Sequence, residues 1–517
     1  MYLSNSSEIR KADQVMIQDF GFPGLLLMET AGRKAAEWIH THCSAAKSIF
    51  ILAGPGNNGG DGLVIARYLF QAGRKVEVLL SHDPVHYQGD ALTNWKALQG
   101  FEIPVHQWPC ALPVKMRKRP EACLVVDALL GTGINDKLRG PVAEIIEAVA
   151  PWRINTFAID LPSGLSADTG ERLNTPLKAE ATLTFQCPKI CHYVTPAADD
   201  CGAVYVLDIG IWPKVMAGLG IRRFLLDEAL CCQFYQKRPE AGHKGTFGHA
   251  ALVGGSKAYA GAIALSGMAA LQSGAGLSSI FTTESARCAV YQGRPELMVR
   301  SFGNAETEWL TAAALPALTE FLKGKSSLAV GPGLGNEPET CNFLQGLLQA
   351  WNRPLVIDAD ALNILSSEPE LWRYVPQGSI LTPHPGEMAR LLPGKDVHNR
   401  RIECAEFLAE LKQVIVVLKG KGTVVAFPDG KTYVNSSGNS GMATGGAGDV
   451  LTGMIAGLLA QGYTPEQSAT MGVYLHGRAG DFAAAFSKEG VTASLISERI
   501  GAAIGVVERH VSNHPSK

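Results

Sequence analysis

The sequence predicts an α/β protein made of two parallel-sheet domains in succession. Short Val-, Ile- and Leu-rich runs alternate with helical patterns, and glycine-rich turns carrying polar residues follow most of these runs. Continuous apolar strands are typical of parallel sheets that helices cover on both faces. The length of 517 residues exceeds what one core can bury and suits about three domains or two large ones.

The composition is that of an ordinary globular protein, with 46% hydrophobic and 18% charged residues. A formal net charge of −2 gives no electrostatic reason to expect nucleic acid or an anionic membrane as a partner. No run approaches the roughly 20 apolar residues that cross a bilayer, and the polar start lacks the apolar core of a signal peptide. We therefore expect a cytoplasmic protein whose eleven scattered cysteines are reduced thiols.

Two series of strands and helices follow one another along the chain. Residues 23–42 have the spacing of an amphipathic helix, and the first series of strand-like runs lies at residues 48–54, 75–80, 123–131 and 156–164. The second series lies at residues 251–255, 328–333, 354–360, 379–385 and 414–420. Because the two series share no repeat, we expect two different domains, residues 1–215 and 225–510, with a boundary between residues 215 and 235.

The motif GPGNNGGDG at residues 54–62 stands between a predicted strand and a predicted helix. It formally contains G-x-G-x-x-G, and Glu77 follows at the distance of a ribose-binding acid, as in a dinucleotide-binding fingerprint. Against this, Asn57, Asn58 and Asp61 place polar side chains where a pyrophosphate would meet bare backbone. Glu77 also lies inside a strand pattern rather than at its end. A purely structural glycine turn stays an alternative.

Three oxygen-bearing side chains follow neighbouring strand-like runs, where open α/β sheets place their ligands. These are Asn58, Asp127 and Ser163. Three hard oxygens with a single carboxylate suit a weakly held monovalent cation better than zinc or calcium. Each residue alone could equally cap a helix or form a turn.

The motifs GNNGGDG, VDALLGTG and IDLPSG followed by DTG resemble the NAD(P)H-hydrate epimerase family, over about residues 10–210. The resemblance implies a Rossmann-like three-layer α/β/α domain, with potassium at Asn58, Asp127 and Ser163. Asp160, at a predicted strand end, is the candidate for proton transfer during R/S interconversion, and capping of the next turn is its alternative role. The implied contacts to the hydrated nicotinamide nucleotide are Asn57, Asn58, Gly59, Gly60, Asp61, Gly131, Thr132, Gly133, Ile134, Asn135, Asp136, Lys137 and Asp160.

The second half contains no P-loop, because the GKS at residues 324–326 lacks the upstream glycine. Instead, Gly445, Gly446 and Gly448 lead into a helix that we expect to begin near Asp449. Backbone N–H groups at such a helix start form an anion hole for phosphate. Asp449 beside it would take a proton from an attacking hydroxyl, or would be a plain N-cap.

Five ordered motifs of the second half, YAGAIALSGMAALQSGAG, GPGLG, DADALN, TPHPGEMARLL and NSGMATGGAGDVLTG, together resemble the ADP/ATP-dependent NAD(P)H-hydrate dehydratase family. The resemblance covers about residues 225–505 and implies a ribokinase-like α/β domain. It implies that the adenine nucleotide contacts Lys419, Gly420, Lys421, Gly422, Thr423 and Gly448. It also implies that the hydrated dinucleotide contacts Ala262, Gly333, His384 and Asp449.

Together the motifs predict an enzyme that repairs hydrated NADH and NADPH (NADHX and NADPHX). An epimerase would interconvert the R and S hydrates, and a dehydratase would use ADP or ATP with Mg²⁺ to phosphorylate the hydroxyl of the S hydrate and eliminate it. The alternatives are a ribokinase-like small-molecule kinase with an N-terminal nucleotide-binding module, and an N-terminal half without catalytic activity. We also expect a homo-oligomer, which the Ala- and Gly-rich helices would allow.

Overall fold

A computed structural model describes residues 1–43, 48–110, 114–134 and 136–513. The chain divides into two compact units, Met1–Arg223 and Phe224–Lys517. Among the described residues, no helix combines the length and the apolar character needed to span a membrane.

Seven parallel strands form the sheet of the first unit, in the order β3-β2-β1-β4-β5-β6-β7. The strands are β1 Ser48–Ala53, β2 Val76–Leu80, β3 Val105–Gln107, β4 Cys123–Ala128, β5 Asn155–Ile159, β6 Ala181–Phe185 and β7 Ala203–Leu207. The helices are α1 Ser6–Gln18, α2 Gly24–His42, α3 Asn57–Gln71, α4 Gly89–Leu98, α5 Val114–Lys118, α6 Pro141–Val149 and α7 Pro213–Gly218.

Helices cover both faces of this sheet. Successive residues of β1 alternate between two cores: Ile49 and Ile51 pack with residues of α1, α2 and α3, whereas Phe50 and Leu52 pack with residues of α6. All six residues of β1 are buried, as expected for a central strand of a parallel sheet. The predicted three-layer α/β/α arrangement is confirmed.

The strand order reverses between β1 and β4, and this reversal fixes where a ligand can bind. The connection after β1 leads to β2 on one side, whereas the connection after β4 leads to β5 on the other side. A crevice therefore opens at the carboxyl ends of β1 and β4. Asn58, in the first turn of α3, and Asp127, near the end of β4, both lie at this point. Glu77, by contrast, lies in the middle of β2, buried and in contact with the His106 ring. Glu77 is therefore not placed to bind a ribose as the dinucleotide-binding fingerprint requires.

Ten strands form the second sheet, in the order β11-β10-β9-β12-β13-β14-β15-β16-β17-β8; the run from β11 to β15 is parallel, and β16 is antiparallel to both of its neighbours. The strands are β8 Arg223–Leu226, β9 His249–Val253, β10 Leu277–Thr283, β11 Met298–Phe302, β12 Ser327–Val330, β13 Val356–Ile357, β14 Ile380–Leu381, β15 Ile415–Leu418, β16 Val424–Ala426 and β17 Thr432–Asn435. The helices are α8 Glu228–Phe234, α9 Ala260–Gln272, α10 Glu284–Tyr291, α11 Leu315–Leu322, α12 Pro338–Ala350, α13 Asp360–Ser367, α14 Pro385–Leu391, α15 Arg401–Lys412, α16 Ala447–Ala460, α17 Pro465–Ala483, α18 Ala493–Glu498 and α19 Ile500–Asn513.

The backbones of helices α9 and α16 pack closely against each other, because α16 has glycines on the face that contacts α9. A Cβ added at Gly453 would lie 2.1 Å from the carbonyl oxygen of Ser266, and one at Gly457 would lie 2.1 Å from Ser273 Oγ. Ser266 Oγ also donates a hydrogen bond of 2.8 Å to the carbonyl oxygen of Asp449. The first turn of α16 is thereby fixed to α9.

Helix α16 begins at Ala447, two residues before the predicted start at Asp449, and its N-cap is Gly446. Gly446 has a φ of +89°, a left-handed conformation that a residue with a Cβ adopts only with strain. The interpretation of Asp449 as the N-cap is therefore wrong, and its carboxylate is not used to cap the helix.

Candidate active sites

A cavity of about 540 Å³ lies at the carboxyl edge of the first sheet. Of the predicted nucleotide contacts, its walls include Asn57, Asn58, Asp61, the segment 131–134 and Asp160. Side chains from two strand ends, from α3 and from α1 therefore face one space large enough for the nicotinamide end of a nucleotide.

The other predicted contacts of the first unit lie elsewhere. Gly59 and Gly60 allow close packing rather than lining the cavity: an added Cβ would lie 1.8 Å from the carbonyl oxygen of Gly54 and 2.6 Å from Met28 Sδ, respectively. Lys137 lines a separate cavity of about 1030 Å³, and Asp136 lines neither cavity. Asn135 lies outside the described residues.

The three predicted cation ligands come together around the backbone of Leu130. Ser163 Oγ donates to Asp127 Oδ1 at 2.6 Å, and the Leu130 N–H donates to Ser163 Oγ at 3.0 Å. Asn58 Nδ2 donates to the carbonyl oxygen of Leu130 at 2.9 Å, which leaves Asn58 Oδ1 buried without a hydrogen-bond partner. A buried oxygen without a donor is costly unless a ligand satisfies it.

Asp160 pairs with a buried lysine that the motifs did not single out. Lys189 Nζ donates to Asp160 Oδ1 at 2.5 Å and to Thr184 Oγ1 at 2.8 Å, and the Lys189 side chain is only 1% exposed. Burial alone would raise the pKa of Asp160, but the ammonium of Lys189 and its hydrogen bond hold that pKa below the ordinary value. Asp160 therefore stays ionised. Its carboxylate makes no hydrogen bond to the following turn in the described chain, so the capping role is wrong.

His192 supports this pair from the other side. Its Nδ1 accepts a hydrogen bond of 3.0 Å from the backbone N–H of Lys189, and its Nε2 lies 2.9 Å from the carbonyl oxygen of Asp160. Asp160 has a φ of +66°, a left-handed conformation that is rare for a residue other than glycine. The ring of His192 thus bridges the backbones of Asp160 and Lys189 and fixes this unusual conformation.

Two further carboxyl groups, Asp13 of α1 and Asp61 of α3, face the same cavity. Neither carboxyl group makes a hydrogen bond with the residues that the structure describes. Burial, with a contribution from Asp160, raises the pKa of Asp13 to about 6. Burial and the charges of Asp160 and Asp13 raise the pKa of Asp61 well above its ordinary range. The carboxyl groups of the cavity therefore differ in pKa, with that of Asp160 lowered and those of Asp13 and Asp61 raised.

In the second unit, four residues from the predicted ligand contacts or from the sequence motifs follow adjacent parallel strands. They therefore lie at one edge of the sheet. Gly333 follows β12, Asp358 follows β13, His384 follows β14 and Lys419 follows β15. Asp358, which the sequence marked only as part of DADALN, is 1% exposed and accepts hydrogen bonds from Lys419 Nζ at 2.8 Å and Thr452 Oγ1 at 2.6 Å. It joins the sheet edge to α16.

Asp449 lies in the first turn of α16, half-buried beside this pair. Its carboxylate makes no hydrogen bond within the part of the chain that the structure describes. Burial and the nearby charge of Asp358 raise the pKa of Asp449 to about 7, against the opposite effect of Lys419. A Cβ added at Gly448 would lie 3.2 Å from Lys419 Nζ, so the lysine is next to the start of α16. A free carboxylate, an ammonium group and a glycine-lined helix start thus meet at one point.

The other predicted contacts of the second unit lie at the surface or in the helix that packs on α16. His384 is the N-cap of α14, its Nδ1 accepts from the N–H groups of Gly386 and Glu387, and its side chain is half exposed. The turn 420–423 joins β15 to β16, with Lys421 exposed. Ala262 is half-buried in α9.

Comparison with known proteins assigns the chain to a family. A family model described as YjeF-related protein N-terminus matches residues 24–191, and one described as NAD(P)H-hydrate dehydratase matches residues 250–501. A bifunctional NAD(P)H-hydrate repair enzyme of Moorella thermoacetica is 40% identical over 94% of this chain and 93% of that protein. The chain belongs to the bifunctional NAD(P)H-hydrate repair enzymes. The Escherichia coli member of this family is 32% identical over 95% of this chain and 91% of its own length.

Among solved structures, an ADP/ATP-dependent NAD(P)H-hydrate dehydratase from Bacillus subtilis, co-crystallized with ATP/Mg²⁺, is 29% identical, with 98% of that chain and 55% of this one covered at a TM-score of 0.48. Membership of the repair-enzyme family confirms the predicted pair of activities, an epimerase and an ADP/ATP-dependent dehydratase, and the predicted Rossmann-like and ribokinase-like domains. The small-molecule kinase is therefore not the function of this chain.

Proposed function

We propose that residues 1–215 interconvert the R and S hydrates of NADH and NADPH in the cavity of the first unit. We further propose that residues 225–510 phosphorylate and dehydrate the S hydrate beside the start of α16. The observation that supports the division best is that each unit holds a lysine–carboxylate pair at the carboxyl edge of a parallel sheet. Lys189 pairs with Asp160 at 2.5 Å in the first unit, and Lys419 pairs with Asp358 at 2.8 Å in the second, where Asp449 lies beside the pair.

For the epimerase, the hydrated ring would enter the cavity with its hydroxyl-bearing carbon near Asp160. This carboxylate is ionised and held by Lys189 and Thr184, so it can accept a proton from the substrate or from a water molecule. The segment 131–134 and Asn57 would contact the remainder of the nucleotide.

A potassium ion fits the cluster of Asn58, Asp127 and Ser163. The unpaired Asn58 Oδ1 supports this assignment, because a cation would satisfy an oxygen that no protein donor reaches. The cluster offers one carboxylate and otherwise neutral oxygens, and no group of three His, Cys, Asp or Glu side chains in the described chain is arranged to hold a metal. When bound, potassium would supply a positive charge at the start of α3, where an anionic group of the nucleotide can bind.

For the dehydratase, the hydroxyl of the S hydrate is a poor leaving group until it is phosphorylated. Asp449 would accept the hydroxyl proton as that oxygen attacks the terminal phosphorus of ADP or ATP. The N–H groups of Gly445, Gly446 and Gly448 would bind the transferred phosphoryl group, and Lys419 beside them would offset its charge. Phosphate then leaves as the lone pair of the ring nitrogen forms a C=N bond, and loss of a proton from the adjacent ring carbon restores the carbon–carbon double bond of NADH or NADPH. The turn 419–423 with Gly448 would hold the adenine nucleotide.

Magnesium fits this site as an ion that the nucleotide carries. Mg²⁺ typically uses one or two carboxylates together with substrate phosphates, and Asp449 has a carboxylate without a protein donor. The ion would screen the negative charge of the phosphates. The predicted contacts of Ala262, Gly333 and His384 with the hydrated dinucleotide are part of the same proposal.

The test uses purified full-length enzyme and a mixture of R and S hydrates of NADH. With ADP or ATP and Mg²⁺, we expect the near-ultraviolet absorbance of the reduced nicotinamide to recover for the whole mixture. The Asp160→Asn variant should recover only the S fraction promptly, because the other epimer is no longer supplied. Prompt recovery of the whole mixture by Asp160→Asn would contradict the epimerase site. If the absorbance of the wild type did not recover with either ADP or ATP, that result would contradict the dehydratase.

A further inference from the structure

Asp13 reaches the epimerase cavity from a segment that the family match does not include. The match begins at residue 24, whereas Asp13 lies in α1 and lines the cavity together with Asp61, Asp160 and Lys189. No sequence motif pointed to it. Its carboxyl group receives no hydrogen bond from the described residues, although it is half-buried. A polar group in this situation is available to a bound ligand.

A residue of the DTG motif anchors the N-terminal end of helix α1. Asp168 accepts hydrogen bonds from the backbone N–H of Ser6 at 2.6 Å and from Ser6 Oγ at 2.7 Å. Asn5 and Glu8 form a capping box at the same end, and Arg223 pairs with Glu8 at 3.2 Å. Because its N-terminus is fixed by these contacts, α1 holds Asp13 in a defined position rather than on a loose end.

Four carboxyl groups line the cavity: Asp13, Asp61, Asp90 and Asp160. The ammonium group among the lining residues, that of Lys189, is bonded to Asp160. Asp61 is 9% exposed, and burial raises its pKa well above the ordinary range, so it holds its proton more firmly than Asp13 does. Asp13 lies close enough to Lys189 and Asp160 for both charges to act on it, and it is less deeply buried than Asp61. It comes from α1, whereas Asp160 comes from the end of β5, so the two enter the cavity from different walls.

We propose that Asp13 is a second catalytic residue of the epimerase, which exchanges a proton with the hydroxyl oxygen on one face of the hydrated ring while Asp160 does so on the other. This inference rests on the epimerase function proposed above. An epimerase must break a bond on one face of a carbon and remake it on the opposite face, so one proton-transferring group on each face suffices.

Epimerisation by these two groups begins with loss of the hydroxyl group as water. The Asp13 carboxyl donates its proton to the substrate hydroxyl, the C–O bond breaks with both electrons on oxygen, and water leaves. The lone pair of the ring nitrogen forms a C=N bond and leaves a positive charge on the ring. A water molecule adds to the other face and passes a proton to Asp160. The reverse reaction moves the same protons back, so no proton is consumed overall.

The pH dependence follows from the groups around Asp13. These are Arg10 on α1 itself, Asp61 on α3, Asp90 on α4, Asp160 after β5 and Lys189 after β6. Burial raises the pKa of Asp13 to about 6, so its carboxyl is protonated below that pH and ionised above it. The reaction needs a proton on one of the two carboxyl groups, Asp13 or Asp160. We therefore expect kcat/KM for epimer exchange to fall as the pH rises through about 6.

The test measures exchange between the separated R and S hydrates without nucleotide, so that the dehydratase does not turn over. For Asp13→Asn we expect kcat to fall by about 100-fold with KM unchanged, and the inflection of the pH profile to disappear. Asp13→Glu should restore part of kcat and the inflection. The matched control is Asp19→Asn, which removes an exposed carboxylate at the C-terminal end of the same helix and should leave exchange unchanged.

If Asp13→Asn kept the wild-type kcat and pH profile while Asp160→Asn was inactive, the role of Asp13 would be overturned and the proposed epimerase function would stand. Full exchange in both Asp13→Asn and Asp160→Asn would overturn the epimerase function proposed for this cavity. Dehydration of the pure S hydrate and thermal unfolding of each variant show whether the chain is folded. If Asp13→Asn is misfolded, the loss or retention of the inflection in Asp13→Glu tests the role of this carboxyl instead.

Discussion

Replacing Asp449 with asparagine should stabilise the second unit while it abolishes dehydration. The wild-type carboxylate is half-buried in the first turn of α16, close to the negative charge of Asp358, and makes no hydrogen bond within the described chain. The amide of asparagine has nearly the same shape but cannot ionise. The variant therefore removes an unfavourable buried charge and, with it, the group that would take the hydroxyl proton.

The size of the effect follows from the pKa of Asp449, which rises from 3.8 to about 7. Each pKa unit corresponds to about 1.4 kcal/mol, so ionisation of this group in the folded state costs about 4 kcal/mol of unfolding free energy above pH 7. An acid with a raised pKa contributes stability below its unfolded pKa and loses that contribution as the pH rises through its folded pKa. The stability gained by the variant should thus grow by about 3 kcal/mol between pH 5 and pH 8.

The assay is thermal unfolding of the full-length wild type and Asp449→Asn at pH 5 and pH 8, with nucleotide binding and dehydration of the S hydrate measured in parallel. At pH 8 the variant transition of the second unit should lie roughly 6 °C higher than in wild type, with a smaller difference at pH 5. Glu337→Gln, an exposed carboxylate at the start of α12, is the control and should show no such pH dependence. Equal transitions at both pH values, or wild-type dehydration by Asp449→Asn, would refute the reasoning.

Three other changes test the first unit. Lys189→Met leaves the Asp160 carboxylate buried without its cation, which should lower the unfolding free energy by about 3–5 kcal/mol and abolish epimer exchange; an unchanged melting transition would contradict the buried pair. Asn58→Ala removes the oxygen that no donor reaches, so activation of epimer exchange by potassium should require higher salt, and an identical potassium titration would argue against the cation site. Gly59→Ala places a Cβ 1.8 Å from the carbonyl oxygen of Gly54, and we expect the first unit to unfold at a clearly lower temperature.

The strands that the sequence predicted are rich in Val, Ile and Leu, and a glycine-rich turn follows most of them. Residues 48–54 and 123–131 combine a continuous apolar run with such a turn, and both contain central parallel strands. The strand β6 lacks this signal, because its residues alternate with threonine, ATLTF, and no glycine follows. Since β6 was not predicted, Lys189 four residues after it was not recognised as a neighbour of Asp160.

The candidate sites were predictable where one contiguous motif supplies the residues. Asn57, Asn58 and Asp61 come from one helix start, and the structure places all three at the cavity. Asp13 was not predictable, because it meets Asp160 only through the packing of α1, about 150 residues away along the chain. The predicted homo-oligomer and the cytoplasmic location stay predictions.

The close contact between α9 and α16 limits where the enzyme's preference for ADP or ATP could be changed by mutation. Gly453 and Ser266 leave no room for a methyl group between the two helices. Larger residues at this contact would therefore move Asp449 relative to the sheet. In the turn after β15, Lys421 is exposed, whereas Gly420 and Gly422 have φ values of +138° and +63°, which favour glycine. If this turn holds the adenine nucleotide as proposed, variation at Lys421 alone should change donor preference while the position of Asp449 is kept.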